Sequence, residues 1–146
     1  MKPIGSAQGK GIFMFSKLSE ISEWRTAYKY KPNGPNSQKD KDVEAYVVQR
    51  YINNPYLVGG KKFDLRLYVV VSSFSPLVVW LYRSGFARFT NTRYNSDPSS
   101  ISNSFMHLTN VAIQKTDENY DKRTGGKWDL RRLKLHMIGQ FGAETT

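Results

Sequence analysis

The chain has 146 residues, 39% hydrophobic and 14% aromatic, which fits one modest domain with a real core and argues against global disorder. Its 22 lysines and arginines against 12 aspartates and glutamates give a net charge of +10, which points to an anionic partner: nucleic acid, a phosphate ligand or an acidic protein surface. The absence of cysteine excludes disulfides and thiolate metal sites, the two histidines argue against zinc, and no apolar run forms a signal-peptide core or approaches the roughly 20 residues of a membrane span; a soluble cytosolic protein is expected.

In chain order, Lys2-Pro3-Ile4 leads into a glycine loop, Gly5-Ser6-Ala7-Gln8-Gly9-Lys10-Gly11, and Ile12 to Phe15 is predicted as a strand. The loop is not a Walker loop, because three residues rather than four separate Gly5 from the Gly9-Lys10 pair and Gly11 follows the lysine. It also opens a strand, not the helix of the dinucleotide fingerprint. A strand–loop–strand hairpin remains, whose glycines let backbone N–H groups approach an anion. Leu18, Ile21, Trp24 and Tyr28 recur at helical spacing after Ser16, which predicts a helix over 17–29 with Ser16 as its N-cap and Trp24 in the core. Residues 31–42 form a polar Pro/Gly/Asn surface loop. Ala45 to Ile52 is predicted as a strand stopped by Asn53-Asn54-Pro55.

The segment Gly59 to Val71 carries the most information. Alternation with period two puts Lys62, Asp64, Arg66 and Tyr68 on one face and Phe63, Leu65, Leu67 and Val69 on a core face. A cation–anion–cation row beside a core is tolerated when the charges pair or a charged ligand completes them, and this row suits a polyphosphate. An antiparallel strand with a solvated stripe would show the same alternation. A turn is predicted at Ser72 to Pro76, then partner strands Leu77 to Arg83 and Phe86 to Phe89, either side of Gly85. Asn91 to Asn103 is a loop, and His107 to Lys115 is short and mixed, with Thr109-Asn110 as a turn or a site. Leu130, Leu133, Met137, Ile138 and Phe141 predict a helix capped by Asp129 and stopped by Gly142.

Collected together, the glycine loop after Lys2, Gln49 to Ile52, the Lys62/Asp64/Arg66 row, Arg83, Arg88 and Thr109-Asn110 could all serve a nucleotide. Lys2-Pro3 with Ser6-x-Gln8-Gly9-Lys10-Gly11-Ile12, Gln49-Arg50-Tyr51-Ile52-x-x-Pro55, Gly59 to Val69, Leu81-Tyr82-Arg83-x-Gly85-Phe86-Ala87-Arg88-Phe89 and His107 to Lys115 resemble the tubulin tyrosine ligase-like family, and within it the polyglutamylase branch. The resemblance covers nearly the whole chain outside 31–42, and its specificity lies in the order of the motifs. It implies an α+β, ATP-grasp-like fold, here the central part of a catalytic core with antiparallel sheets and flanking helices. It also implies an ATP-dependent ligase that phosphorylates a glutamate side chain of a tubulin tail and joins free glutamate to it.

Carried over residue by residue, the resemblance implies that Lys2, Gln8 and Gly9 contact phosphates and that Gln49, Arg50, Tyr51 and Ile52 line adenine. Lys62, Phe63, Asp64, Thr109 and Asn110 complete the ATP site, and Arg66 faces the γ-phosphate. Arg88 and Lys127 hold the incoming amino acid, and Gln8 neighbours the acceptor glutamate. The expected partners are tubulin tails or microtubules and free glutamate, with neither nucleic acid nor membrane, in the cytoplasm at the cytoskeleton, with cilia or basal bodies implied by the branch. The family's magnesium ligands, an Asp and a later Glu-x-Asn, have no counterpart here. Residues 1–146 are therefore expected to be a partial catalytic domain lacking a terminal lobe and the metal-ligand strands, poor at binding nucleotide and inactive alone. Two other readings stay open: a non-catalytic basic module binding nucleic acid or acidic tails through basic and aromatic side chains, and a family member adding glycine or tyrosine. Phe63, Phe86 and Phe89 lie among alternating apolar residues and are expected in the core, which weighs against the first.

Overall fold

A computed structural model describes residues 1–5, 8–29, 45–123 and 125–145; the 31–42 loop lies outside them. Strand β1 (Lys2–Pro3) pairs antiparallel with β2 (Tyr46–Val47) in a small sheet. The main sheet has the order β3 (Phe63–Phe74), β4 (Leu77–Phe89) and β5 (Lys127–Asp129), all antiparallel. Helix α1 (Leu18–Lys29) follows the glycine loop, the short helices α2 (Ser104–His107) and α3 (Val111–Gln114) follow β4, and α4 (Leu130–Phe141) runs directly out of β5. This is the expected mixture of helices and antiparallel sheets.

The core lies on one face of the main sheet. Val58, Ala87, Phe89 and Leu133 are buried there, with Phe63, Trp128 and Met137 packed against them. Helix α4 covers this face because Leu133 and Met137, four residues apart, fall on one side of the helix. Asp129 fixes where the helix starts, its carboxylate accepting from Arg132 N at 2.6 Å. Gly142 ends it with φ 85°. At Gly85 a Cβ would collide with the Arg66 carbonyl oxygen and press on Leu130, so only glycine lets β3 and β4 close here.

Several predicted elements change shape. Ile12 to Phe15 is not a strand: Met1 and Phe13 exchange a reciprocal pair of backbone hydrogen bonds, at 2.7 and 3.2 Å, and the pairing goes no further because Lys2 and Pro3 turn to β2. The 45–52 strand shrinks to Tyr46–Val47, limited by the length of its partner. Helix α1 begins at Leu18, and the capping is reversed from the prediction: Glu20 reaches back to accept from Lys17 N at 3.2 Å and from the Ser16 hydroxyl at 3.1 Å. Leu18, placed on the apolar stripe, is exposed, whereas Trp24 stacks between Phe13 and Tyr46 at 5.0 and 4.8 Å. The predicted 72–76 turn tightens to Ser75-Pro76, a cis peptide, and β4 runs unbroken through Gly85.

Candidate functional site

The face of the main sheet opposite the core carries the charges, and strand register explains why. Asp64, Arg88 and Lys127 are cross-strand neighbours on β3, β4 and β5, and Arg66, Phe86 and Asp129 form the next row. Side chains directly opposite one another share a face. The predicted cationic row of β3 therefore becomes a two-dimensional array, with Lys62 at one corner. Arg88 grips Asp64 in a bidentate pair, Nε donating to Oδ1 at 2.8 Å and Nη2 to Oδ2. That pairing holds the guanidinium even more firmly protonated than usual. The Asp129 carboxylate is engaged in capping α4. Among the described residues Arg66 has no ion-pair partner, and the Lys127 ammonium lies over the Phe86 ring at 5.1 Å. The array thus has two carboxylates already committed and cationic capacity left over. Such a surface suits an anionic ligand.

Lys62 is anchored from the other side. Its Nζ donates to Tyr51 Oη and to the His107 carbonyl, both at 3.2 Å, and lies 4.5 Å from the centre of the Tyr51 ring. His107 is buried between Tyr51 and Tyr94, edge-on to both rings. Burial lowers the affinity of the Lys62 amine for its proton, opposed by the charge of Asp64. Burial also lowers the His107 imidazole, with the Lys62 charge adding to the effect and the Ser100 hydrogen bond opposing it. The Tyr51 phenol is pushed up, first by burial and then by the neighbouring Tyr94.

The segment after His107 ties this corner to the glycine loop. Gln8 has φ 62° and Gly9 φ 83°, and a Cβ at Gly9 would come within 2.6 Å of Ile113 Cδ1 and 3.1 Å of Asn110 Oδ1. Glycine there lets the loop backbone lie against Asn110 at the start of α3. The segment is held in place by Gln114, which is buried although polar. Its amide donates to the Phe105 and Leu108 carbonyls and accepts from Asn91 N at 2.7 Å, while Asn91 Nδ2 returns a bond to the Gln114 carbonyl at 3.1 Å. Among the described residues no buried side-chain nitrogen or oxygen lacks a hydrogen-bond partner, as stability demands.

The structure brings some of the predicted site residues together and leaves others apart. Asp64, Arg66, Arg88 and Lys127 share the charged face; Lys62 and Tyr51 join at its corner; Gly9 meets Asn110, and Thr109 lies beside it. Phe63 belongs to the core side, with its ring 5.3 Å from Phe89. Lys2 pairs through its backbone with Val47, and no hydrogen bond or ion pair among the described residues connects its side chain to the Lys62 cluster. Gln49, Arg50 and Ile52 are exposed and lie outside any helix or strand. Phe86 corrects the expectation of a core aromatic: its register partner is Arg66, so it sits on the charged face. The sequence does not single out His107, Ser100, Gln114 or Asn91 as site or support residues; for His107 the signal is a histidine between the apolar Met106 and Leu108.

The donor set fits a polyphosphate-bearing group such as ATP: an anchored ammonium, an unpaired guanidinium, a second ammonium and a closely packed glycine backbone. It does not fit magnesium. Among the described residues no three histidines, cysteines, aspartates or glutamates gather as a metal would need, and Asp64 is occupied by Arg88.

Comparison with known proteins shows the family. The profile of the tubulin-tyrosine ligase family matches residues 1–145, and the chain belongs to this family. It is 44% identical to the probable tubulin polyglutamylase TTLL9 of Rattus norvegicus, with 97% of this chain and 35% of the relative covered. It is 50% identical to the probable tubulin polyglutamylase ttll-9 of Caenorhabditis elegans over 91% of this chain and 29% of the relative. Against the probable alpha-tubulin polyglutamylase Ttll1 of Tetrahymena thermophila it is 45% identical over 99% of this chain and 34% of the relative. The chain thus spans about a third of the length of these relatives.

Proposed function

We propose that these residues form part of the nucleotide and amino-acid site of an ATP-dependent ligase that adds glutamate to glutamate side chains of tubulin tails. The observation that supports this most is the cross-strand array: Arg66 and Lys127 offer positive charge in register beside the Asp64–Arg88 pair, with Lys62 anchored at its corner. ATP, when bound, supplies the phosphoryl group that activates the acceptor carboxylate. Lys62 and the Gly9 backbone would hold phosphate oxygens, and Arg66 would offset charge on the transferring group. Arg88 can form a bidentate pair with a carboxylate, as its contact with Asp64 demonstrates, so it would hold the incoming amino acid by exchanging partners. Lys127, one strand away, would hold the amino acid's other carboxylate. The acidic tubulin tail would be drawn to the net charge of +10 in a salt-dependent way. The names of the relatives support tubulin as the protein modified and the cytoskeleton as the place.

The test is mass spectrometry of tubulin tails after incubation with ATP, free glutamate and the ligase that bears these residues, beside its Arg66→Ala and Arg88→Ala variants. The reading expects tails heavier by glutamyl residues, lost in Arg66→Ala and strongly reduced in Arg88→Ala through a raised KM for glutamate. Tails that gain glycine or tyrosine instead would overturn the substrate, and Arg66→Ala with full activity would overturn the assignment of the site.

A further inference from the structure

The hydrogen bonds around Lys62 run in one direction. The Ser100 carbonyl can only accept, so His107 Nε2, 3.0 Å away, carries the ring proton. Nδ1 of the neutral ring is then an acceptor, and Tyr51 Oη, 2.9 Å away, donates to it. With its proton committed, the Tyr51 oxygen turns a lone pair to Lys62 Nζ, which donates to it. A second Lys62 proton goes to the His107 carbonyl. An ammonium has three protons; the described residues account for two and leave one.

From this chain we infer that Tyr51 and His107 are positioning residues for Lys62, which fix its ammonium so that one N–H remains to be offered to an anionic oxygen of the ligand. The inference rests on the reading above of Lys62 as a phosphate-binding group. It gives Tyr51 a different duty from lining adenine: its hydroxyl is turned inward, to His107 and Lys62. A tether that merely fastened the 104–110 segment would need no particular order of donors and acceptors. This arrangement does: in the other imidazole tautomer a bare Nε2 would face the Ser100 carbonyl, acceptor against acceptor, and the Tyr51 proton would lose its acceptor at Nδ1.

Two measurements without nucleotide test the inference. Nitrogen-15 NMR of the imidazole should show His107 protonated at Nε2 alone; the Nδ1–H tautomer would overturn the proposal. Acetic anhydride labelling read by mass spectrometry should show Lys62 reacting roughly tenfold faster in Tyr51→Phe, measured against Lys61 in the same molecule, because an acceptor for the ammonium is gone. His107→Ala should move in the same direction, and His107→Asn, whose side-chain oxygen can again accept from Tyr51, should return toward the wild-type ratio. Equal Lys62/Lys61 ratios in all four proteins would overturn the proposal. If a variant only loosens the fold, both lysines accelerate together, and the tautomer measurement on the wild-type protein decides. Adding tripolyphosphate separates the two levels: protection of Lys62 that weakens in Tyr51→Phe supports the offered N–H. Lack of protection with the variant pattern intact removes the phosphate role and leaves the hydrogen-bond order standing.

Discussion

The two ends of the β3–β4 hairpin present opposite surfaces. Where β3 begins and β4 ends, polar groups are buried: Thr90, His107 and Gln114 are almost without solvent contact, and each is hydrogen-bonded. Toward the turn the reverse holds. Val69, Val70, Leu81 and Trp80 are exposed on both faces, Trp80 by 64%. A register shift between Leu67 and Val69, where β4 steps from Gly85 to Leu81, separates the two ends. Alternation of residue types says which side chains share a face, but cover from a third element decides which face is buried. Helix α4 and β5 reach only the first end. Buried polar groups are the informative ones in any fold, and here they lie beside the charged array.

The contrast is broken most readily by truncation. Leu133→Ala, in the core beneath α4, should cost about 2–4 kcal/mol, whereas Leu81→Ala near the turn should cost less than about 0.5 kcal/mol. Urea unfolding midpoints with unchanged slopes would show the difference, and equal losses would mean that the distal hairpin is packed. Asp64→Ala should come next, at about 1–2 kcal/mol, since it strands a half-buried Arg88 while Asp64 itself retains solvent contact. The same variant should bind a small carboxylate such as acetate more tightly at Arg88, measurable by NMR titration.

The smallest effect sharpens the contrast by pH. His107 binds its proton less readily folded than unfolded, so the unfolded state takes up more protons as pH falls below about 6.5. The stability tied to neutral His107 is therefore full above that value and declines as pH drops toward the depressed folded value. Thermal midpoints between pH 7 and 5 should fall more steeply in the wild type than in His107→Asn. Parallel slopes would mean that the imidazole titrates as it does in the unfolded chain.

Much of the base of the sheet was legible from local pattern. Helix α4 with its Asp129 cap and Gly142 stop follows from apolar spacing and capping chemistry, and the Lys62/Asp64/Arg66 face follows from period two. Pairing partners were not legible, because register is settled between strands distant in sequence. That is why Phe86 is expected in the core, why the joining of Asp64 to Arg88 is not foreseen, why the strand expected at 12–15 is absent and why the one expected at 45–52 is shorter. The Gln114–Asn91 latch and the Ser100–His107 bond join side chains to backbone carbonyls and amides, which carry no residue-specific signal.

The measurement that bears most directly on the site is photolabelling with an azido-ATP, followed by peptide mapping of the sites of attachment. Attachment should concentrate in residues 49–66 and 107–113, compete with unmodified ATP and fall in Lys62→Ala. Competed attachment confined to the exposed 69–82 hairpin, with those two segments unlabelled, would contradict a nucleotide site built from Lys62, the Gly9 loop and the cross-strand array.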